Sequence, residues 1–265
     1  MYNWMGALQM DILQAIILGI VQGISEWLPI SSKSHLIIIQ LLFGLVQPAI
    51  FDLLLHIGSL IVVLFVFWKD IWKLITGVFS GDKKSLLYVA YIIVASIPVA
   101  IIGFVFKTQI EAALSNMYIL GFGFLFTALI LFLSKFSFVK KKSLNFWNSL
   151  VIGISQVFSV LPGVSRSGTT ISTGMILGVE KKEAAKLSFL MFIPAILGAT
   201  VLEIGSIGLI TNIPAMIIGM IFAMVTGYIA LKLLMNIIEK NKFWMFSIYC
   251  FVLGIIVLLF AYGIV

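Results

Sequence analysis

Four stretches of this chain, 85–106, 112–134, 204–231 and 243–265, carry no charged residue. Each is long enough to cross a bilayer as a helix, which takes about 20 consecutive apolar residues. Two shorter runs, 53–68 and 187–202, reach that length with their flanks, and Asp52, Lys69 and Glu203 stand where a helix end would meet the interface. The chain therefore reads as an all-α integral membrane protein with six transmembrane helices. Composition excludes the soluble alternative. Of the 265 residues 62% are hydrophobic and 10% charged, too few charges to cover a water-soluble domain of this size. Cys250 is the only cysteine, so neither a disulfide framework nor a CxxC metal or redox site can form, and its place inside the last apolar run marks it as filler. The first ten residues hold no Lys or Arg, so the basic start of a cleavable signal peptide is missing and the N-terminus is expected to be retained.

Two further apolar regions, 12–48 and 143–179, do not fit a simple span. Pro29 breaks the first and Pro162-Gly163 the second, and each holds charge at its middle. Irregular backbone at membrane depth survives only when buried in protein or facing water, so both regions read as re-entrant helix-loop-helix hairpins. The breaks resemble each other. Leu28-Pro29-Ile30-Ser31-Ser32-Lys33-Ser34 matches Leu161-Pro162-Gly163-Val164-Ser165-Arg166-Ser167, with Gln22 and Gln156 a few residues upstream. The chain is thus a single membrane domain of two repeats, about 11–134 and about 143–265, each a hairpin followed by three spans. Three crossings turn the second repeat upside down relative to the first, giving an inverted-topology repeat.

Lysine placement gives an independent reading of the same topology. With the N-terminus on one side, the loops 69–84, 135–142, 180–186 and 232–242 lie together on the other and hold 14 lysines, against Lys107 alone on the first side. By the positive-inside rule the lysine-rich side is the cytoplasm, which puts the N-terminus outside a plasma-membrane protein. The formal charge of +7 falls in these short clusters instead of a stripe or tail, so it points to anionic lipid and not to nucleic acid. The remaining cations, Lys33 and Arg166, lie inside the hairpins, and Arg166 is the only arginine.

An ionisable group near the bilayer centre costs roughly 2.5–3.5 kcal/mol, and the hairpins hold Glu26, Lys33 and Arg166 with His35 beside them. Internal pairing of Glu26 with Arg166 would balance the charge, but it leaves the Ser and Thr at both breaks unexplained. Gln22 and Glu26 share a helix face that should stop before Pro29. Ser31, Ser32 and Ser34 are placed to cap one half-helix, and Ser165, Ser167, Thr169 and Thr170 to open the other. Two helix N-termini, a planar arginine and several hydroxyls in a dry site suit a diphosphate. Hydrolysis of a P–O–P bond needs a nucleophile, charge neutralisation and a proton carrier. Ser32 or His35 could attack or position a water; Glu26 could act as base, or hold a divalent ion with Gln22; Arg166 would clamp the transferred group. Asp52 and His56 share a face near the outer end of a span, which could place them at the site entrance, although a capping acid and a hydrogen-bonded histidine are the simpler reading. Trp68, Trp72 and Trp244 read as an aromatic belt, and Trp27 as packing beside the site.

The segments Gln22-Gly23-Ile24-Ser25-Glu26-Trp27-Leu28-Pro29-Ile30-Ser31-Ser32 with His35, and Pro162-Gly163-Val164-Ser165-Arg166-Ser167-Gly168-Thr169-Thr170, resemble the two signatures of the undecaprenyl-diphosphate phosphatase (bacitracin-resistance) family. The resemblance extends through Phe51-Asp52-Leu53-Leu54-Leu55-His56-Ile57-Gly58 to essentially the whole chain. It implies a phosphatase, dependent on a divalent cation such as Mg2+ or Ca2+, that converts a C55-type isoprenyl diphosphate to the monophosphate carrier of cell-envelope synthesis. By position, the family's acidic pair falls on Gln22 and Glu26, its serine on Ser32, its histidine on His35 and its phosphate-binding arginine on Arg166, with Ser167 and Thr170 lining the same loop. Two departures stand out: Gln22 weakens a two-carboxylate metal site, and Lys33-Ser34 replaces a small residue followed by Gly. Lys33 either adds a second cation for the phosphates or pairs with Glu26. The oligomeric state stays open, a homodimer included. The rival class is a transporter or flippase for a lipid phosphate or other anion, since inverted repeats and broken helices also build carriers.

The topology makes a labelling prediction. In a Cys250→Ala background, single cysteines in loops 69–84 and 135–142 should be shielded from an impermeant thiol reagent applied to intact cells, and one near residue 108 should react. The reverse pattern would overturn the orientation.

Overall fold

Backbone N–H and C=O groups in hydrocarbon must be paired within their own segment, and the chain meets this demand with helices. The structure, a computed structural model, describes residues 10–45, 49–137, 142–203 and 212–264, without the side chains of Ala49, Leu202 and Glu203. The first nine residues, Lys140, Lys141 and the Glu203 side chain, on which parts of the sequence reading rest, lie outside the described residues.

Among the described residues twelve α-helices run in chain order: α1 (Ile12–Trp27), α2 (Ser32–Phe43), α3 (Ala49–Val66), α4 (Trp68–Phe79), α5 (Lys83–Val105), α6 (Lys107–Leu114), α7 (Met117–Ser134), α8 (Phe146–Val157), α9 (Arg166–Ile176), α10 (Lys181–Glu203), α11 (Ile213–Glu239) and α12 (Phe246–Ala261). Among them the only β pairing is one isolated bridge, Lys142 to Val179. Five of these helices are long and apolar enough to cross a membrane, and α3 with α4 makes a sixth if that pair, bent by 74°, is one span.

Helices begin where short polar side chains can take up unpaired N–H groups. Asp11 and Gln14 form a reciprocal capping box at α1, and Asn145 and Asn148 form another at α8. Asn116 caps α7 and Asn212 caps α11. Asp82 caps α5, and hydrogen bonds from the hydroxyl and N–H of Ser85 hold its carboxyl below the usual carboxylate range.

The structure departs from the sequence reading in three places. Residues 68–79, read as loop because of Lys69, Asp70 and Lys73, form α4. The span expected at 112–134 starts at Met117, because Lys107–Leu114 makes the separate helix α6. Of the span expected at 204–231, residues 204–211 lie outside the described residues, and from Ile213 it runs as α11 to Glu239, carrying Lys232 inside it.

α1 packs along α11, as α8 packs along α5; α3 meets α10 and α7 meets α12. α1 approaches α11 closely. Gly19 and Gly23 stand four apart on α1, and a Cβ at either would run into the backbone of Gly219 or Ala223. Without a hydrophobic force between helices in lipid, such small-residue contacts are what bring backbones together. Trp27, one residue beyond Glu26, fills the adjoining core against Phe189 and Phe192, edge-on at 5.6 and 5.3 Å. Gly23→Ala should therefore lower the melting temperature, since overpacking costs about 1–3 kcal/mol, and should cut turnover by displacing Glu26. Gly103→Ala, whose added carbon meets nothing within 4 Å, should leave both unchanged.

Candidate active site

The two chain breaks meet each other. α1 stops at Trp27, ahead of Pro29, and α2 resumes at Ser32. Between them Ser31 is held at φ 67°, a region costly for any residue but glycine. Its carbonyl accepts from the His35 N–H, and its hydroxyl lies 3.0 Å from that of Ser34. In the other break, α8 passes through a 3-10 turn at Phe158–Val160 and α9 opens at Arg166. Gly163 sits there at φ 85°, against the backbone of α7 at Leu120 and Gly123, where a side chain has no room. The Gly163 N–H donates to Ser34 Oγ, so the loops are hydrogen-bonded directly.

Glu26 is the centre of the assembly. Its side chain is 7% exposed, and its Oε1 accepts from Arg166 Nη2 at 2.8 Å. Its Oε2 accepts from Ser32 Oγ at 2.6 Å and from Gln22 Nε2 at 3.2 Å. Arg166 is fixed on its far side by the Ser188 carbonyl, 3.0 Å from Nη1, and by the Phe192 ring, 4.6 Å from the guanidinium carbon. The structure thus unites Gln22, Glu26, Ser32 and Arg166 from the residues named in the sequence. The Glu26–Arg166 pairing first set out as the structural alternative is present, with a hydroxyl and an amide on the same carboxylate.

The other named residues are placed around this centre. His35 points away from Glu26: Nδ1 lies 2.8 Å from the Ser31 carbonyl and Nε2 2.6 Å from the Tyr249 hydroxyl on α12. Lys33 is exposed in the first turn of α2. The serine caps expected on α2 do not form, because Ser31 bends into positive φ, Ser32 turns to Glu26 and Ser34 turns to Gly163. On α9 the expected cap does form, from Gly168 N–H to Ser165 Oγ. Ser167 Oγ reaches the Leu28 carbonyl across the two breaks at 3.5 Å. Thr170 Oγ1 lies 2.7 Å from Ser188 Oγ and bonds the Arg166 carbonyl, so Ser167 and Thr170 brace the arginine's helix.

Sequence reasoning missed four contributors and gave a fifth, His56, only as the lesser reading. Its Nδ1 lies 2.7 Å from the Asp52 carbonyl, as a hydrogen-bonded histidine would, and its Nε2 faces Glu26 Oε2 at 3.6 Å. Ser59 lies 3.5 Å from Gln22 Nε2. Ser188 and Phe192 hold the arginine. Thr127, inside the apolar run of α7, accepts the Ser165 N–H and donates to the Gly163 carbonyl, both at 2.9 Å. A lone hydroxyl in an apolar span was the only signal for Ser59, Thr127 and Ser188, and Phe192 gave none.

For a divalent cation the oxygen donors are the Glu26 carboxylate and the buried Gln22 Oε1, which has no hydrogen-bond partner among the described residues. No group of three His, Cys, Asp or Glu side chains gathers among them. Mg2+ is commonly held by one or two carboxylates with substrate phosphates and water completing its shell, so this sparse set fits an ion carried largely by its substrate.

Thr127 is the simplest residue to test. Thr127→Val leaves a buried N–H and C=O unpaired at the loop that carries Arg166, at about 1–3 kcal/mol each. It should lower thermal stability and turnover together, and Thr127→Ser should restore most of both.

Comparison with known proteins agrees with this geometry. The family described as Bacitracin resistance protein BacA matches residues 15–256. A protein of Methanobrevibacter smithii named undecaprenyl-diphosphatase is 41% identical, over 94% of this chain and 97% of its own length. Proteins of the same name from Halothermothrix orenii and Christiangramia forsetii are 38% and 36% identical, over 95% and 96% of this chain and 99% and 100% of their own lengths. Since the match takes in both breaks, with Glu26, Ser32 and Arg166 inside it, the chain belongs to the bacitracin resistance protein BacA family.

Proposed function

We propose that this chain is an undecaprenyl-diphosphatase, which removes the terminal phosphate of a long isoprenyl diphosphate and so recycles the monophosphate lipid carrier for cell-envelope synthesis. One observation carries the chemistry: a buried carboxylate accepts a serine hydroxyl on one oxygen and the only arginine on the other. Nucleophile and anion clamp are thereby each one hydrogen bond from the base.

Of an arginine's five N–H donors, Glu26 takes one and the Ser188 carbonyl one, leaving three for phosphoryl oxygens. The N-terminus of α2 carries no side-chain cap and adds backbone donors next to Ser32. In this reading Ser32 Oγ attacks the terminal phosphorus in line as Glu26 accepts its proton. The P–O bond to the bridging oxygen breaks and the isoprenyl monophosphate leaves. Water then releases phosphate from the serine. Ser32 takes this role over His35 because Ser32 is the one bonded to Glu26. A divalent cation, Mg2+ or Ca2+, held by Glu26 and Gln22 Oε1 would neutralise charge on the phosphoryl oxygens. Arg166, with Phe192 on its face, orients the transferred group.

The finer architecture belongs to the same proposal. α1–α2 and α8–α9 are re-entrant hairpins of an inverted repeat, supported by the matched L-P-x-x-S-[K/R]-S breaks and by the exchange of α1–α11 packing for α8–α5 packing. The lysine-rich loops face the cytoplasm, the α1–α2 hairpin enters from outside, and substrate comes from the outer leaflet of the plasma membrane. Inverted repeats also favour a carrier, so the first experiment separates the two. Purified protein given farnesyl or longer diphosphate with Mg2+ should release inorganic phosphate; substrate binding with no release across chain lengths and metals would make it a carrier.

Arg166→Lys then tests the clamp. Lysine keeps the charge beside Glu26 but loses the planar fork. One charge-assisted hydrogen bond is worth roughly 1.5–3 kcal/mol and tenfold in rate is about 1.4, so phosphate release per folded molecule should fall well over tenfold with the melting temperature nearly kept. A stable and almost fully active Arg166→Lys protein would show the arginine to be only an ion-pair partner.

A further inference from the structure

α4 takes no part in the active site, yet its surface is the most organised of any unassigned element. α3 ends at Val66, and α4 leaves it at 74°. Along α4, Trp68, Trp72, Ile75 and Phe79 recur at i, i+4, i+7 and i+11, which is one helix face. All four are exposed, Phe79 to 88%, and the two indoles stack at 5.4 Å. A second face is fastened to the protein. Ile71 and Leu74 pack on the core around Trp27 and Phe189, and Asp70 pairs with Lys186 of α10 at 2.5 Å. A third face presents Lys69, Lys73 and Thr76, all exposed.

A helix turned far off a spanning helix, apolar and Trp-rich on one face and lysine-bearing on the next, has the form of a helix that lies in the headgroup layer. Trp settles at that depth, and lysine there is drawn to anionic lipid. We propose that α4 docks on the anionic headgroups of the cytoplasmic leaflet, with Trp68, Trp72, Ile75 and Phe79 toward the acyl chains and Lys69 and Lys73 on lipid phosphates. The choice of leaflet rests on the orientation proposed above. The docking has a mechanical connection to the site, because α10 carries Lys186, which holds α4, and also Ser188 and Phe192, which hold Arg166.

The test uses the full chain with Cys250→Ala and single spin-labelled cysteines at 68, 69, 72, 73, 75, 76 and 79. The protein is placed in vesicles of equal parts phosphatidylcholine and phosphatidylglycerol. Oxygen should reach the labels at 68, 72, 75 and 79, and a water-soluble nickel chelate those at 69, 73 and 76, with one shallow depth throughout. Nickel access at every position would overturn the proposal by placing α4 in water. A depth that changes steadily from 68 to 79 would overturn it by making α4 the continuation of α3. In a second arm, phosphatidylglycerol should raise the melting temperature of the wild type above its value in phosphatidylcholine alone. Lys69→Gln with Lys73→Gln should lose most of that rise, and inorganic phosphate should not replace the lipid. An equal rise in both proteins would overturn the assignment to anionic headgroups. Phosphate release measured on the same vesicles keeps any of these failures distinct from a failure of the active-site reading.

Discussion

A carboxylate and a guanidinium buried together at 2.8 Å, one from each broken helix pair, set the terms for everything around them. Taking either ion out of water costs several kcal/mol, and the pair repays it only if the remaining donors and acceptors are also met. Here part of that need is met: Ser32 and Gln22 serve the second carboxylate oxygen, and the Ser188 carbonyl and the Phe192 ring serve the far side of the arginine. Arginine does not lose its proton in a protein, so the positive charge is permanent and the partner has to be supplied by the fold. The pair forms where the two breaks meet, with Glu26 in the last turn of α1 and Arg166 at the start of α9.

The two chain breaks contribute unequally to this pair, although their sequence motifs match. Lys33 stands in the first motif where Arg166 stands in the second, yet Lys33 is exposed and Arg166 is enclosed. Gln22 bonds to Glu26, whereas Gln156, its counterpart, keeps a buried Oε1 with no partner among the described residues. The first break therefore supplies the carboxylate and the hydroxyl, and the second supplies the cation. α7 anchors the second break through Thr127, and α12 touches the first break and the start of α2 at Cys250 and Tyr249. Each loop is seated by the other features of both halves, so neither half of the site is complete alone.

What could be read from the sequence follows from which signals are local. A spanning helix announces itself by an uncharged run, and a break by Pro29 or Pro162-Gly163, so the long apolar helices and the two chain breaks were legible. Glu26, Ser32 and Arg166 were legible because polar groups at membrane depth are costly and need a reason. α4 was not, since Lys69, Asp70 and Lys73 look like loop charges until the 3.6-residue recurrence of Trp68, Trp72, Ile75 and Phe79 is set beside them. The capping reading of Ser31 failed because the backbone there takes positive φ to meet the second loop, a tertiary demand that overrides local preference. His56 was undervalued for the same kind of reason: nothing in a 30-residue separation says that its ring ends 3.6 Å from Glu26.

The surroundings of the pair bear on the catalytic role proposed for its members. Burying an ion pair costs desolvation, and replacing a purely structural one with packed apolar residues is often neutral or stabilising. This one is enclosed on the side of Phe192 and Ser188, but the arginine retains donors beyond those that Glu26 and Ser188 occupy. The serine on Glu26 is likewise more than charge balance requires, because Arg166 already supplies it. A hydroxyl held at 2.6 Å on a carboxylate, beside a guanidinium with unspent donors, is costly to build for stability alone. It is the arrangement expected when an incoming phosphoryl group is to take up the remaining guanidinium N–H groups while the carboxylate stays free to take the serine's proton.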